Sequence, residues 1–310
     1  MRLQRTYGFV FILLWTVGTA LAQTITCSPA DKRAVDDKLV EIEGLALPNV
    51  VTTKESPEEK GKPIKNGFGQ NLVAIGKTFI GTPYVAKTLE IGDTETLVIN
   101  LQGLDCTTYV ENVLAFGRMT HKNGPGFEHS DGSFEKFAKT LEGIRYKDGQ
   151  LDGYASRLHY FSEWIANNEN KGLLKDITAE IGGSEITKDI NFMSEHRNLY
   201  PFLVEEGNFQ KIKASEKYLN DQAICILPQD RIASNDHLIQ TGDIIALTTS
   251  IDGLDITHTG IATREADGRI HLLHASTGSM EVEVSELPLS EYLKGIKSNT
   301  GIMVARPLTP

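Results

Sequence analysis

Cys106 follows Asp105 and opens the run TTYVENVLAFGRM, whose apolar spacing predicts a helix. Asp105 suits the N-cap and puts Cys106 at the first helical position. A helix N-terminus carries partial positive charge and free N–H groups. Both favour a thiolate, so the position should lower the thiol pKa, and the same N–H groups can hold an oxyanion. The plainer alternative is a small apolar residue starting a packed helix. A nucleophilic thiol needs a base within hydrogen-bond reach and a group to orient that base. Of the eight histidines, His258 in THTGIATRE and His274 in RIHLLHAS sit on what reads as one β-hairpin, turning at Ala266-Asp267-Gly268. Side chains alternate faces along a strand, so cross-strand pairs must sum to an even number for the two to share a face. A two-residue loop makes the sum 535 and separates them; a three-residue loop makes it 534 and brings them together. The three-residue loop is the expectation here, closed by Glu265 and Arg269, with Gly268 left-handed. Gly260 then lies opposite His274, and His258 is the diagonal neighbour at about 7–8 Å. The alternatives are two interior histidines of a sheet, or a Cys106–His258–His274 zinc site. Nothing else has zinc-motif spacing, and no metal and no cofactor are expected. His271 faces away, and His121, His129, His159, His196 and His237 lack a comparable pattern.

The elements that must hold these groups follow from the rest of the chain. Residues 31–44 have helical spacing and end at Gly44; residues 71–79 suggest a helix stopped by Gly81-Thr82-Pro83; residues 95–101 read as a strand. Residues 51–66 are charged, hold two prolines, and read as a linker or arm. The stretch from about 112 to 220 reads as mostly helical, with loops at 121–132 and 145–153. The last ninety residues alternate β-branched runs with turn signals: AICILP, DIIALTT, THTGIATR, RIHLLHAS, MEVEVSEL and GIMVARP. Helices first and an antiparallel sheet last make an α+β chain.

At 310 residues the chain can bury a sizeable core. Its net charge is −10, from 31 basic and 41 acidic residues, which argues against nucleic acid as a partner. Arg2 and Arg5, the apolar run Gly8 to Val17 and Ala20-Leu21-Ala22 make residues 1–22 a secretory signal peptide, shorter than a membrane span. Its removal leaves 29 basic against 41 acidic residues, net −12, and no later segment apolar enough to span a bilayer. The mature chain is expected to be secreted, to the periplasm. Exported thiols tend to be paired. With Cys106 given a role, Cys27 and Cys225 remain as candidates for a bridge, Cys225 also reading as an inert thiol in an apolar run.

Five segments together resemble the NlpC/P60 cysteine peptidases, in that family's order: GTPY at 81–84, LDCTTYV at 104–110, GDIIAL at 242–247, HTGIA at 258–262 and HLLHAS at 271–276. The runs DGYASRLHYFSEWI at 152–165 and GLDITHTGIA at 253–262 are similar to the DUF1460 branch, which is N-acetylmuramoyl-L-alanine amidase-like. The resemblance covers residues 67–310. It implies a papain-like core, the thiol helix packed on a small antiparallel sheet, with a helical insertion at about 112–220 and residues 23–66 left as an N-terminal helix and linker. It implies Cys106 as nucleophile, His258 as base, His274 as its orienting residue and Tyr84 beside the oxyanion. The implied reaction cuts the amide between N-acetylmuramic acid, in its anhydro form or not, and L-alanine in muropeptides or peptidoglycan fragments. A stem-peptide endopeptidase and an inactive muropeptide-binding module are the alternatives. The acidic mature chain suits small soluble fragments, and hence wall recycling, better than intact anionic polymer. Arg157, Tyr160 and Trp164, at i, i+3 and i+7 of an expected helix, are candidate substrate contacts, by pairing with a carboxylate and stacking on a sugar. Core packing for the two aromatics and an ion pair for Arg157 are the other reading.

Overall fold

The computed structural model describes residues 24–45, 67–122 and 132–310. The segment 1–22 and the arm at 51–66 lie outside the described residues. The helices are α1 (Pro29–Glu43), α2 (Gly67–Lys77), α3 (Cys106–Lys122), α4 (Ser133–Arg145), α5 (Phe161–Asn170), α6 (Phe192–Glu195), α7 (Glu206–Asn220), α8 (Ile232–Asn235) and α9 (Leu289–Tyr292). The strands are β1 (Ile25–Thr26), β2 (Leu97–Val98), β3 (Leu174–Asp176), β4 (Ser184–Ile186), β5 (Ile224–Pro228), β6 (Ile244–Thr249), β7 (Ile256–Arg264), β8 (Ile270–Ala275), β9 (Val282–Val284) and β10 (Asn299–Pro307).

Helix α1 starts two residues before the expected position, because Ser28 caps it through its hydroxyl and Pro29 fills the first turn. The expected strand at 95–101 shrinks to β2, paired in parallel with β1. The large sheet runs β4-β5-β10-β6-β7-β8-β9, with β3 also on β10, and its pairs are antiparallel. The stretch 112–220 is less helical than its composition suggests. It holds two strands, β3 and β4, that join the sheet, and several single turns of 3-10 helix.

Period-two alternation divides the sheet's apolar side chains between its faces. Ile244, Ala246, Ile261 and Leu273 face a core shared with α1 to α5, while Ile245, Leu247, Ala262 and Leu272 face a second cluster with Leu289 and Leu293. Helix α3 runs through the larger core. Tyr109, Val110, Val113, Leu114 and Phe116 are buried on it, each apolar side chain contributing roughly 1.5–3 kcal/mol. The thiol helix is therefore anchored by most of its length, while Cys106 and Thr107 in its first turn are half-buried. A third cluster, around Tyr160, Phe202, Leu203 and Ile212, belongs to the middle of the chain.

Candidate active site

Asp105 and Thr108 fix the start of α3. The Asp105 carboxylate accepts from the Thr108 N–H at 2.8 Å, and the Thr108 hydroxyl accepts from the Asp105 N–H at 2.9 Å. This reciprocal cap places half-buried Cys106 at the first position of the helix. The N–H groups of Thr259, on β7, and Thr107 lie near enough to its sulfur to favour the thiolate.

The hairpin has the expected register. Ile261 pairs with Leu273 and Ala262 with Leu272, the sum of 534, and the turn closes through Glu265 N–H to Arg269 O and Gly268 N–H to Glu265 O, both 3.0 Å. Gly268 is left-handed, with φ +78°. His258 and His274 consequently share a face, and Nε2 of His258 lies 2.6 Å from Nδ1 of His274. Gly260 is the close approach beneath them. A Cβ there would come within 2.8 Å of the His274 Cβ and 2.9 Å of Leu272. Gly260→Ala is expected to cost about 1–3 kcal/mol through overpacking. Because His274 must shift, turnover should fall further than the loss of folded protein explains; Tm and activity per folded molecule check it together.

Tyr84 is sewn in from both sides. Its N–H donates to Met280 O at 2.8 Å, and Val85 N–H and Leu104 O bond at 3.0 Å, one residue before the Asp105 cap. That brings the Tyr84 hydroxyl close enough for a charge on Cys106 to act on it. Burial, Cys106 and Asp105 push the Tyr84 phenol up to about 12, so it stays a donor. Tyr292, from α9, lies at the same place. Its ring meets His274 edge-on with centroids 5.5 Å apart, and Cys106 acts on it as well. No sequence signal singled out Tyr292, which sits in an unremarked LSEYL run.

Electrostatics correct one expectation. The helix start was expected to lower the Cys106 pKa; instead burial, then the Asp105 carboxylate, push it up to about 12, outweighing the hydrogen bonds from Thr259 and Thr107. Burial lowers His258 to about 4; burial and then His258 lower His274 to about 3. Without substrate the thiol and both imidazoles are uncharged at neutral pH. This has a stability consequence. The unfolded chain's histidines take protons near pH 6.5 while the folded ones do not, so stability is full above about 6.5 and is lost as pH falls toward 4. For His258 the loss is on the order of 3 kcal/mol. Melting curves from pH 7 to pH 4 should fall more steeply for the native chain than for His258→Gln.

The three proposed substrate contacts are not on one helix. Helix α5 begins at Phe161; Tyr160 is its extended N-cap and Arg157 lies in extended backbone before it. Trp164 has no exposed surface, stacks on Phe161 and donates to Glu111 at 3.2 Å. Tyr160 is 3% exposed and bonds Glu216 at 2.8 Å. Arg157 is buried between Glu90, at 2.5 Å, and Glu95, at 3.1 Å. Side chains so enclosed offer a sugar or a peptide carboxylate no surface. The three cysteines are free, so the Cys27–Cys225 bridge is absent: Cys27 packs against the larger core, whereas Cys225 lies on β5 opposite Glu185. Among the described residues no group of three or more His, Cys, Asp or Glu is arranged to hold a metal ion, and no helix is long and apolar enough to cross a membrane.

Helices packed on an antiparallel sheet, with a thiol, two bonded imidazoles and a tyrosine at their junction, make this a mixed α+β protein. A model of the AmiA-like family, described as N-acetylmuramoyl-L-alanine amidase-like, matches residues 74–302, and the chain belongs to that family. It is similar to an N-acetylmuramoyl-L-alanine amidase from Bacteroides uniformis, with 40% identity over 78% of this chain and 99% of that one and a TM-score of 0.71. It is also similar to a Bacteroides fragilis protein named a candidate xylanase, with 43% identity over 74% of this chain and 98% of that one and a TM-score of 0.69. A Legionella pneumophila protein of the DUF1460 family shares the fold, at 21% identity, over 78% of this chain and 89% of that one, with a TM-score of 0.55. No curated protein matches.

Proposed function

We propose that the chain is an exported cysteine amidase that hydrolyses the bond between N-acetylmuramic acid, in its anhydro form or not, and L-alanine in peptidoglycan fragments. The observation that carries this reading is the 2.6 Å contact between His258 and His274, on the hairpin whose Thr259 N–H lies near enough to the Cys106 sulfur to favour its thiolate. A thiol, a base and a group orienting the base are what covalent acyl transfer needs. The seating of the thiol helix on an antiparallel sheet supports a papain-like NlpC/P60 core over residues 67–310, and residues 1–22 are read as the signal that sends it to the periplasm.

The resting groups are uncharged, so the Cys106 proton moves to His258 as sulfur attacks the lactyl carbonyl carbon. The carbonyl oxygen becomes the oxyanion, held by the Cys106 N–H and the Tyr84 hydroxyl. His258, now an imidazolium, gives its proton to the nitrogen of L-alanine; the C–N bond breaks and a thioester remains. Water then attacks the thioester, His258 takes its proton, and that proton returns to sulfur as the acid leaves.

Incubating the mature protein with a disaccharide-peptide and weighing the products tests the reading. Free disaccharide plus intact peptide is expected. A disaccharide-dipeptide would mean an endopeptidase, a shortened glycan would mean a glycosidase, and binding without cleavage would leave only a muropeptide-binding module.

A further inference from the structure

His274 raises a question that the Cys106–His258 chemistry leaves open. A neutral imidazole has one donor and one acceptor nitrogen, so the 2.6 Å contact between His258 Nε2 and His274 Nδ1 holds one proton, in one of two arrangements. If His274 donates, His258 carries its proton on Nδ1 and has no lone pair left for the thiol. If His258 donates, its Nδ1 is bare and can act as a base, and His274 must carry its proton on Nε2. That Nε2 is buried and has no hydrogen-bond partner. The carboxylate of Glu283 is 3.9 Å from it. Glu283 sits on β9 directly opposite His274 on β8, so its place is set by strand register.

We propose that Glu283 is a positioning residue that closes a chain Cys106–His258–His274–Glu283 and holds His274 in the Nε2–H form. A carboxylate can only accept, so it attracts an N–H and repels a bare lone pair. It therefore selects the one arrangement in which His258 can take a proton, and it lies behind the pair when His258 becomes cationic. The inference rests on Cys106 being the nucleophile. The Glu283 side chain is partly exposed, so a rotamer change can close the gap as charge develops. The groups facing His274 are His258 from β7, Glu283 from β9 and Tyr292 from α9, with Cys106 of α3 acting on Tyr292. Of these only Glu283 offers a carboxylate to Nε2. The competing account is that Glu283 is a solubilising charge on an edge strand, which predicts no effect on the imidazoles.

The test labels the histidine ring nitrogens of the full chain with ¹⁵N. The native protein is expected to show His274 protonated on Nε2 and His258 bare on Nδ1. Glu283→Ala should invert or mix the two tautomers and lower kcat by about 10–100-fold with KM unchanged. Glu283→Gln, whose amide oxygen still accepts, should restore the tautomer and part of the rate. An unchanged tautomer in Glu283→Ala, or a kcat within about twofold of the native value, overturns the proposal. Alkylation of Cys106 by iodoacetamide, followed on its own peptide, reads the same chain without substrate. If alkylation slows and the tautomer changes in Glu283→Ala while the native chain cleaves no muropeptide, the proton chain stands and the amidase reading falls.

Discussion

Replacing Cys106 by alanine is expected to lower kcat on a disaccharide-peptide by roughly 10⁴-fold or more, about 5 kcal/mol of barrier. Tm should stay essentially unchanged. The two halves of that expectation rest on different atoms. The helix start is held by Asp105 and Thr108, whose mutual hydrogen bonds do not involve the Cys106 side chain, and α3 is anchored further along by Tyr109, Val113 and Phe116. Losing a half-buried thiol therefore removes little packing. It removes the only atom from which the proposed thioester can form. Cys106→Ser sharpens the point: the hydroxyl fits the same space but is a far weaker nucleophile, and its turnover should also collapse. Adding His258→Ala to Cys106→Ala should change little more, because groups that act as a unit are lost together. An alanine variant that turns over at close to the native rate would refute the covalent mechanism outright.

What could be read from the residues differs from one part of the site to another for physical reasons. The hairpin was legible because a three-residue loop with a left-handed Gly268 is local, and strand alternation then propagates its register to His258 and His274 without further information. The start of α3 was legible because a cap is local too. The thiol's acidity was not. A helix terminus favours the thiolate, but the burial that overrides it comes from elements far away in sequence. The Arg157–Tyr160–Trp164 stripe failed in the same way. Its spacing fits a helix, yet α5 starts only at Phe161, and the partners that enclose the three residues are Glu90, Glu95, Glu111 and Glu216. Glu283 and Tyr292 come from β9 and α9, and only the folded sheet sets them beside His274. In this chain local turns and caps set the geometry of the candidate site, while long-range burial sets its electrostatics.

Glu111 shows how much of that burial hangs on one carboxylate. It lies on α3, five positions after Cys106, and is 2% exposed, as is its partner Arg145 on α4. Its Oε2 accepts from Arg145 Nε at 2.6 Å and its Oε1 from Trp164 Nε1 at 3.2 Å, so it joins α3, α4 and α5. Arg145 Nη1 also donates to Val98 O at 2.6 Å, which ties β2 to the same point. Lys171, lowered to about 8 by burial, is partly offset by the charge of Glu111. Glu111→Ala leaves the Arg145 guanidinium in the core with the Val98 carbonyl as its hydrogen-bond partner and only the more distant charge of Glu95 to offset it. The expected cost is about 3–5 kcal/mol, a large share of the roughly 5–15 kcal/mol that holds a domain together. Denaturant titration should show the midpoint falling at nearly constant slope. Glu111→Gln keeps the shape and one acceptor but not the charge, and should fall between the two. The double variant Glu111→Leu with Arg145→Met removes both charges together and should recover much of the loss, because an apolar pair can replace a buried ion pair where a lone ion cannot stand. If the single alanine variant loses less than about 1 kcal/mol, water reaches Arg145, and the rigidity of the helix that carries the thiol must come from its apolar face alone.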